Sequence, residues 1–342
     1  MIKYFFVLIC FVLAQLIEQN DLFDKPKNWP APFYDFEKNK LTKEKILLGR
    51  VLFYDPILSK DSTISCNSCH SPFSAFTHVD HALSHGIRDS IGIRNSPALM
   101  NLAWQKHFMW DGAINNLDMQ SLAPISHPAE MGSNINDVVA KLNRSKIYKK
   151  LYKEAYKDSL ITGEHTLKAI AQFMLTIISC NSKYDKVMNN KETFTMQEQN
   201  GYQIFKKHCS SCHTEPLFTN GEFANNGLAL DSLLNDKGRA RITQKKEDAY
   251  QFKVPTLRNI EFSYPYMHDG RFKKLKDVLN HYTNGIKKSE TLDAKLQNGI
   301  ILTSNEKVDL MAFLLTLSDK EFLFDVKFSY PIEASLMKVD QK

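Results

Sequence analysis

Two short motifs constrain this chain more than any other feature: Cys-Asn-Ser-Cys-His at residues 66–70 and Cys-Ser-Ser-Cys-His at residues 209–213. Two cysteines three positions apart can each form a thioether with one porphyrin, and the histidine that follows can bind the iron. Cys-x-x-Cys alone also serves zinc sites and redox dithiols, but a zinc site would not require histidine at the same position in both copies. The motifs therefore predict two covalently attached haem c groups. The residues that would hold them are Cys66, Cys69, His70, Cys209, Cys212 and His213.

The length of 342 residues is too great for one small cytochrome module and fits two domains with substantial cores. An apolar content of 43% and a charged content of 24% are those of an ordinary soluble globular protein. The net charge of +6 is modest, and no run of Lys and Arg is interleaved with aromatic residues. We therefore expect no nucleic-acid partner, and the basic balance fits an acidic electron donor.

The first residues are typical of a secretory signal peptide, predicted at residues 1–14. Lys3 supplies a positive end, an apolar stretch follows, and Val-Leu-Ala at residues 12–14 is a suitable cleavage site. Cys10 follows the bulky Ile9, which disfavours a lipid anchor. Export to the periplasm agrees with haem c, which is attached outside the bacterial cytoplasm. Cys180 then remains as a single cysteine, most simply a core residue.

Helical periodicity dominates the remainder, and strand patterns are sparse. A helix is predicted from Thr42 to Phe53, and the first motif is expected to follow it on a loop. Another helix opens at a capping box of Thr195 and Glu198 that leads to the second motif. Apolar residues recur at helical spacing over residues 167–178, and the polar stretch 181–190 is the predicted boundary. We predict a mainly α fold of two tandem c-type cytochrome-like haem domains with long loops. Their predicted ranges are residues 20–185 and 186–342.

The two halves echo each other around their motifs. Gly-x-x-Leu-Phe at residues 49–53 resembles Gly-x-x-Ile-Phe at 201–205, and Arg-Asn at 94–95 resembles Arg-Asn at 258–259. Trp-Asp-Gly at residues 110–112 resembles His-Asp-Gly at 268–270, and His-Ser-Pro-Phe at 70–73 resembles His-Thr-Glu-Pro-Leu-Phe at 213–218, which pairs Phe73 with Phe218. These repeats indicate duplication of one haem domain.

With this duplication, the chain resembles the bacterial di-haem cytochrome c peroxidase family, including its MauG-like branch. The matching segments are Gly-Arg-Val-Leu-Phe-Tyr-Asp at 49–55, Arg-Asn-Ser-Pro at 94–97, Trp-Asp-Gly at 110–112, Gln120, Pro-Ile at 124–125, Glu-Met-Gly at 130–132, Val-Pro-Thr-Leu-Arg-Asn at 254–259 and Pro-Tyr-Met-His-Asp-Gly at 265–270. The resemblance covers nearly everything after the signal peptide. It implies that an N-terminal haem, ligated by His70, meets hydrogen peroxide, while a C-terminal haem, ligated by His213, accepts electrons.

The resemblance also implies roles around the first haem. Glu130 matches the acid/base carboxylate that moves a proton between the peroxide oxygens. Gln120 matches a second distal-pocket residue, and Trp110 matches an indole that relays electrons between the haems. His85 stands near the place of a removable histidine ligand whose departure would activate the enzyme. A solvated loop histidine is the alternative for His85, and the sequence leaves both open.

Two further features depend on the resemblance. Asn95 and the carbonyls of Ser263 and Pro265 match a calcium site between the domains, where neutral oxygens suit a hard cation. Tyr282 lies where ordinary di-haem peroxidases place a methionine and the MauG-like branch a tyrosine as ligand of the second haem. From Leu275 onward the apolar spacing puts Tyr282 on the inward face of a short helix and turns His281 away from it. Met267 is the alternative ligand.

Three functions remain open. The first is a periplasmic peroxidase that reduces hydrogen peroxide with electrons from a small cytochrome c or cupredoxin. The second is a MauG-like oxidase that uses high-valent iron to oxidise a protein substrate. The third is a non-enzymatic di-haem electron carrier, against which Glu130 and Gln120 argue because a carrier needs no distal carboxylate. A homodimer is compatible with each of them.

Overall fold

The structure, a computed structural model, describes residues 22–332, so the predicted signal peptide at residues 1–14 lies outside the described residues. Within residues 22–332 the fold is mainly α-helical with little sheet, as predicted. No helix in this part of the chain is long and apolar enough to cross a membrane.

The helices are short and are separated by long irregular segments. The α-helices are α1 Lys43–Tyr54, α2 Cys66–Cys69, α3 Leu117–Gln120, α4 Leu122–Ser126, α5 Ile135–Arg144, α6 Lys146–Tyr156, α7 Gly163–Leu175, α8 Lys183–Met188, α9 Met196–His208, α10 Ala240–Thr243, α11 Leu275–Asn280, α12 Ser304–Leu315 and α13 Lys320–Leu323. A π-helical turn, His281–Gly285, continues α11. Strands β1 Phe223–Ala224 and β2 Phe252–Lys253 pair antiparallel, with Phe223 opposite Lys253.

Side-chain caps determine where the two motif-delivering helices begin. The Thr42 side chain accepts a hydrogen bond from the Lys45 amide at 3.2 Å, which starts α1. At α9 the Thr195 hydroxyl accepts from the Glu198 amide, while the Glu198 carboxylate accepts from the Thr195 amide. This capping box is the one predicted from sequence.

One glycine in each half allows two helices to pack closely. A Cβ on Gly49 of α1 would lie 1.8 Å from the Ala169 carbonyl oxygen of α7. A Cβ on Gly201 of α9 would lie 1.9 Å from the Asp309 carbonyl oxygen of α12. Both crossings therefore require glycine, and the sequence echo corresponds to an equivalent packing arrangement in the two halves.

Two hydrophobic cores follow these helix pairs. The first is built mainly on α1, α6 and α7, and the second surrounds Phe205, Phe218 and Phe313. The end of the described chain returns to the first core, because Phe322 and Phe328 are buried there. Tyr184, from the predicted boundary segment, packs in the second core. The division after residue 185 stays a prediction.

Two local details differ from the sequence interpretation. The first motif, expected on a loop, forms the single helical turn α2. Helix α7 ends at Leu175, so Ile177, which is fully buried, packs from the segment after the helix. At α2 the Ser68 hydroxyl accepts a hydrogen bond from the Ser65 amide at 3.1 Å, which supports a helical turn, and Ile177 is buried although it lies outside α7.

Candidate di-haem site

A backbone carbonyl orients each motif histidine. His70 Nδ1 lies 2.9 Å from the Phe76 carbonyl oxygen. His213 Nδ1 lies 3.2 Å from the Phe218 carbonyl oxygen and 3.1 Å from that of Pro255. When Nδ1 donates to a carbonyl, Nε2 remains as the free nitrogen for a metal, so both imidazoles fit the proximal position of a haem. Burial lowers the pKa of each histidine to about 4, which keeps the rings neutral and able to bind iron.

The residues whose carbonyl oxygens face the motif histidines differ from one pair that the sequence repeat suggests. Phe218 was paired by sequence with Phe73, but Phe73 is 61% exposed. Phe76 is the structural equivalent, because Phe76 and Phe218 are both fully buried and both adopt positive φ, at 57° and 53°. The equivalence therefore follows the hydrogen bond to the histidine rather than the spacing in sequence.

A cavity of about 240 Å³ lies against the second motif. Cys209, Cys212 and His213 line it, and both thiols are free of disulfides. The predicted inward face of α11 and its continuation also lines this cavity; its members are Leu275, Val278, Leu279 and Tyr282. Free thiols, an oriented histidine and a largely apolar wall fit a covalently attached haem.

Both candidate sixth ligands, Tyr282 and Met267, line this cavity, and Asn226, which also lines it, lies beside both of them. The Asn226 amide donates to Met267 Sδ at 3.5 Å. Burial raises the pKa of Tyr282 to about 12, although a hydrogen bond from the Asn226 side chain acts in the opposite direction by stabilising the phenolate. Asn226, which the sequence analysis did not single out, thus lies next to both candidate ligands.

His281 does not line the cavity, as expected, yet it is buried rather than exposed to solvent. Its Nε2 lies 3.0 Å from the Asn226 carbonyl oxygen. The π-helical turn begins at His281. Because a π turn changes the angular spacing of side chains, simple 3.6-residue periodicity does not describe the surroundings of this residue.

Trp110 also lines the cavity, although it belongs to the N-terminal half. Its indole Nε1 donates to the Asn95 carbonyl at 2.8 Å. Its own carbonyl accepts from the Lys253 amide of the C-terminal half at 2.8 Å. The indole is therefore held between the halves, next to the second haem position.

Charged side chains hold the turn after Trp110. Arg94 donates to Asp111 at 2.6 Å and makes a bidentate ion pair with Asp236 at 2.6 and 2.9 Å. Arg239 donates to the Asp111 carbonyl at 2.9 Å. Gly112, at φ 68°, leaves space that a side chain would fill with clashes against Phe223. The turn is thus fixed from both halves of the chain.

Glu130 lies near the first motif. Its carboxylate is 3.7 Å from His127 Nδ1, and its backbone carbonyl accepts from the Ile87 amide at 2.8 Å. Burial raises the pKa of Glu130, and the charge of Glu130 contributes to the raised pKa of the Cys69 thiol. A partly desolvated carboxyl close to the first haem attachment has the properties of a general acid/base.

Gln120 is buried at the end of α3, and its amide points to Met109 Sδ at 3.7 Å. Met109 lines the cavity at the second motif. Gln120 therefore contacts, through Met109, the wall of the cavity at the second motif. Its predicted distal role stays a prediction.

His85 is close to the first motif, because its carbonyl oxygen lies 3.7 Å from Cys69 Sγ. Its imidazole stacks on His81 at 4.1 Å between ring centroids, and His81 stacks in turn on His78 at 5.3 Å. His85 Nδ1 is 2.7 Å from Asp89 Oδ1. In this arrangement His85 is held in a histidine row, and iron ligation by it stays a prediction.

The three candidate calcium ligands, Asn95, Ser263 and Pro265, line the same cavity. The Asn95 amide donates to the Ala82 carbonyl at 3.1 Å, which leaves its side-chain oxygen for another partner. Within residues 22–332 no group of three or more His, Cys, Asp or Glu could hold a metal ion. A calcium site here would therefore depend on neutral oxygens.

Met109 escaped the sequence analysis although the repeat contains a signal for it. Met109 precedes Trp-Asp-Gly just as Met267 precedes His-Asp-Gly. Both methionines have positive φ, at 67° and 73°, and each sulfur faces a side-chain amide. Extending the echo by one residue would have identified this pair.

A mainly helical chain with two oriented Cys-x-x-Cys-His motifs belongs to the class of tandem haem c proteins. The family model for di-haem cytochrome c peroxidase matches residues 43–193, and the family model for cytochrome c matches residues 198–318. The chain is 33% identical over 307 residues to the methylamine utilization protein MauG of Methylorubrum extorquens, covering 86% of this chain and 83% of the relative. This chain belongs to the di-haem cytochrome c peroxidase family.

Other relatives include both branches of the family. The cytochrome c551 peroxidase of Nitrosomonas europaea is 32% identical, with 79% of each chain covered. A solved MauG-like protein associated with microbial copper homeostasis superimposes with a TM-score of 0.82 at 30% identity, covering 90% of this chain and 99% of the other. The chain is therefore an oxidoreductase of the di-haem peroxidase type, with haem c as its cofactor.

Proposed function

We propose that this chain is a periplasmic, peroxide-dependent oxidoreductase that uses its second haem in the MauG-like manner and oxidises a side chain of a protein substrate. Bound haem supplies iron that accepts peroxide and stores oxidising equivalents. The chain itself supplies proximal ligands from His70 and His213, proton transfer by Glu130 and a link between the halves at Trp110. The observation that carries the proposal is the contact of Asn226 with both Tyr282 and Met267.

Asn226 favours Tyr282 over Met267 as the ligand of the second haem. Its amide occupies a lone pair of the Met267 sulfur at 3.5 Å, and its hydrogen bond to the phenol stabilises the phenolate. Phenolate oxygen favours ferric and higher iron states, whereas thioether sulfur favours ferrous iron. A second haem with Tyr282 would therefore be hard to reduce and suited to holding oxidising equivalents.

Glu130 has a separate task at the first haem. Peroxide cleavage needs a proton to move from one oxygen to the other. Desolvation raises the pKa of Glu130, so its carboxyl holds a proton more readily than an exposed glutamate does. Its proximity to Cys69 and the contact of its backbone carbonyl with the Ile87 amide support a proton-transfer role near the first motif.

Trp110 would connect the two haem positions. Its indole hydrogen bond to Asn95 and its carbonyl bond to Lys253 fix it between the halves. Trp110→Phe keeps an aromatic ring but removes the readily oxidised indole. We expect this variant to react with peroxide at the first haem while electron transfer between the haems slows. Equal interhaem rates, measured by stopped-flow spectroscopy, would remove the relay role.

The main experiment measures the second haem before any substrate is known. Spectroelectrochemical titration of the purified di-haem protein should give a low midpoint potential for the haem bound at Cys209 and Cys212. Addition of hydrogen peroxide without an electron donor should then produce spectral changes at both haems. A high potential and a response confined to the first haem would contradict the MauG-like proposal.

The second candidate is a peroxidase that draws electrons from a small cytochrome c or cupredoxin. Met267 also lines the cavity, and several relatives are named cytochrome c peroxidases. Rapid, repeated oxidation of a reduced small cytochrome by peroxide would favour this function. Enhancement of that activity by prior half-reduction would further support a removable His85 ligand.

Calcium and compartment are further parts of the proposal. A calcium ion on Asn95, Ser263 and Pro265 would join the halves near Trp110, so chelation should slow interhaem transfer if the ion is present. The predicted signal peptide and the haem c motifs both support export. Attachment of haem only when the chain is directed across the cytoplasmic membrane would test this compartment.

A further inference from the structure

Lys253 is a half-buried cation that has no carboxylate partner among residues 22–332. It ends strand β2, and its ammonium group donates to Gln105 Oε1. Among residues 22–332, no Asp or Glu lies within ion-pair distance of its Nζ. Burial lowers the pKa of Lys253 to about 8. A charge removed from water in this way normally has an anion nearby.

The side chain of Lys253 lines the cavity at the second haem motif. Among the described residues that line this cavity, Lys253 contributes the one Lys or Arg side chain and Asp293 the one carboxylate. Asp293 caps the short turn at residues 294–296, where it accepts a hydrogen bond from the Lys295 amide at 2.9 Å, and it forms no ion pair with Lys253. An anion that enters the cavity with the cofactor would complete the pairing of Lys253.

Haem c carries two propionate groups in addition to the vinyl positions that the cysteines use. We propose that Lys253 is the counter-ion of a propionate of the haem attached at Cys209 and Cys212. Its fixed position supports this assignment, because the same strand segment donates to the Trp110 carbonyl and provides, at Pro255, a carbonyl acceptor for His213. The backbone of residues 253–255 thus contacts both Trp110 and the proximal histidine.

This pairing has a redox consequence. A cation close to the haem stabilises the reduced state, which carries one positive charge less than the oxidised state. Lys253 therefore raises the midpoint potential of the second haem and partly offsets the lowering expected from Tyr282. The inference concerns haem binding and does not require a particular choice between the two proposed reactions.

The test is a comparison of three variants in the haem-loaded protein. Lys253→Met removes the charge and keeps an apolar stem, and Lys253→Arg keeps the charge. Lys295→Met is the matched control, because the exposed Lys295 Nζ lies 3.8 Å from Cys212 Sγ. Exposed charges are screened by water and salt, so this control should change the potential little.

We expect Lys253→Met to reduce the equilibrium constant for reduction of the second haem at least about tenfold, which is about 59 mV for one electron. Lys253→Arg should stay close to the wild type. Unchanged potentials in a Lys253→Met protein with both haems attached would overturn the proposal. If that variant fails to attach haem, a crystal structure of the wild-type holoprotein decides. A propionate oxygen at ion-pair distance from Nζ supports the proposal, and its absence refutes it.

The potentials also separate this inference from the proposed function. Loss of peroxide reactivity at both haems would contradict the function, whereas the effect of Lys253 on the potential would persist. A normal peroxide reaction with no effect of Lys253→Met would contradict only the counter-ion role.

Discussion

Arg94 and Asp236 form a bidentate ion pair between the two halves of the chain, with nitrogen-oxygen distances of 2.6 and 2.9 Å. The Asp236 side chain is only 2% exposed. Arg94 also holds Asp111, directly after Trp110. The turn that carries Trp110 is therefore held by an ionic contact between two residues that lie far apart in sequence.

Asp236→Asn should destabilise the protein by about 1.5–3 kcal/mol, because it removes one of the two carboxylates that pair with Arg94 and leaves only Asp111. Chemical denaturation of the holoprotein would measure this loss. Asp35→Asn is the control, since its pair with Lys38 is exposed and should change stability by less than about 1 kcal/mol. Equal effects of the two substitutions would show that the interdomain pair adds no stability.

The same pair predicts a pH dependence. Burial would raise the pKa of Asp236, but its hydrogen bonds and the charge of Arg94 outweigh burial and lower it. The stabilisation is therefore fully present above the unfolded pKa of about 3.9 and is lost as the pH falls through the lower folded value. Denaturation midpoints of wild type and Asp236→Asn should converge in that acidic range. A constant difference would contradict the ionic explanation.

Replacing both cysteines of one motif tests haem attachment. Cys66→Ala with Cys69→Ala should yield a protein with one covalent haem, bound at Cys209 and Cys212, since each motif forms its own thioethers. Mass spectrometry of denatured wild type should show two haem additions. Fewer than two in the wild type would contradict the di-haem assignment of this chain.

Glu130→Gln should leave both haem spectra nearly unchanged and slow the reaction with peroxide about 100- to 10,000-fold, the usual contribution of a positioned proton-transfer group. Stopped-flow mixing with peroxide would measure the rate. Glu164→Gln, on the exposed face of α7, is the control and should react normally. An unchanged rate in Glu130→Gln would reduce Glu130 to a structural residue.

Substitution of the two candidate ligands distinguishes Tyr282 from Met267. If Tyr282 binds iron, Tyr282→Phe should alter the ferric spectrum of the second haem and raise its midpoint potential, while Met267→Leu should do neither. Near-infrared and electron paramagnetic resonance spectra would detect the change. A methionine charge-transfer band that persists in Tyr282→Phe and disappears in Met267→Leu would reverse the assignment.

Gly201→Ala should destabilise the second half by about 1–3 kcal/mol, because its Cβ would lie 1.9 Å from the Asp309 carbonyl oxygen and force α9 away from α12. Asn200→Ala, on the exposed side of the same helix, should have little effect. Thermal denaturation would compare the two variants. A neutral Gly201→Ala would mean that this crossing adjusts without cost.

Much of the framework follows from local chemistry. Thr42 and Thr195 predict helix starts because a side-chain oxygen can accept from an amide within the same turn. The spacing of Leu275, Val278, Leu279 and Tyr282 predicts one inward face, since residues at helical intervals share a side. These predictions need only residues close together in sequence.

The surroundings of the histidines and of the candidate sixth ligands could not be predicted from the sequence in the same way. Phe76 replaces Phe73 as the equivalent of Phe218, because the chain forms a left-handed turn before its carbonyl reaches His70. His281 is buried because the π turn alters the spacing on which periodicity depends. Asn226 was missed because it lies in an irregular segment that no periodic pattern describes.

The sequence by itself determined the two haem attachments, the mainly helical class and the duplicated arrangement, because each depends on short spacings that any folded form must keep. Only the tertiary structure decided that Asn226 lies beside Met267 and Tyr282, that Asp236 holds Arg94 and that no Asp or Glu of residues 22–332 pairs with Lys253. Hydrogen bonds and burial of this kind join residues from distant segments. Their strength depends on exclusion of water, which arises only when both halves have packed together.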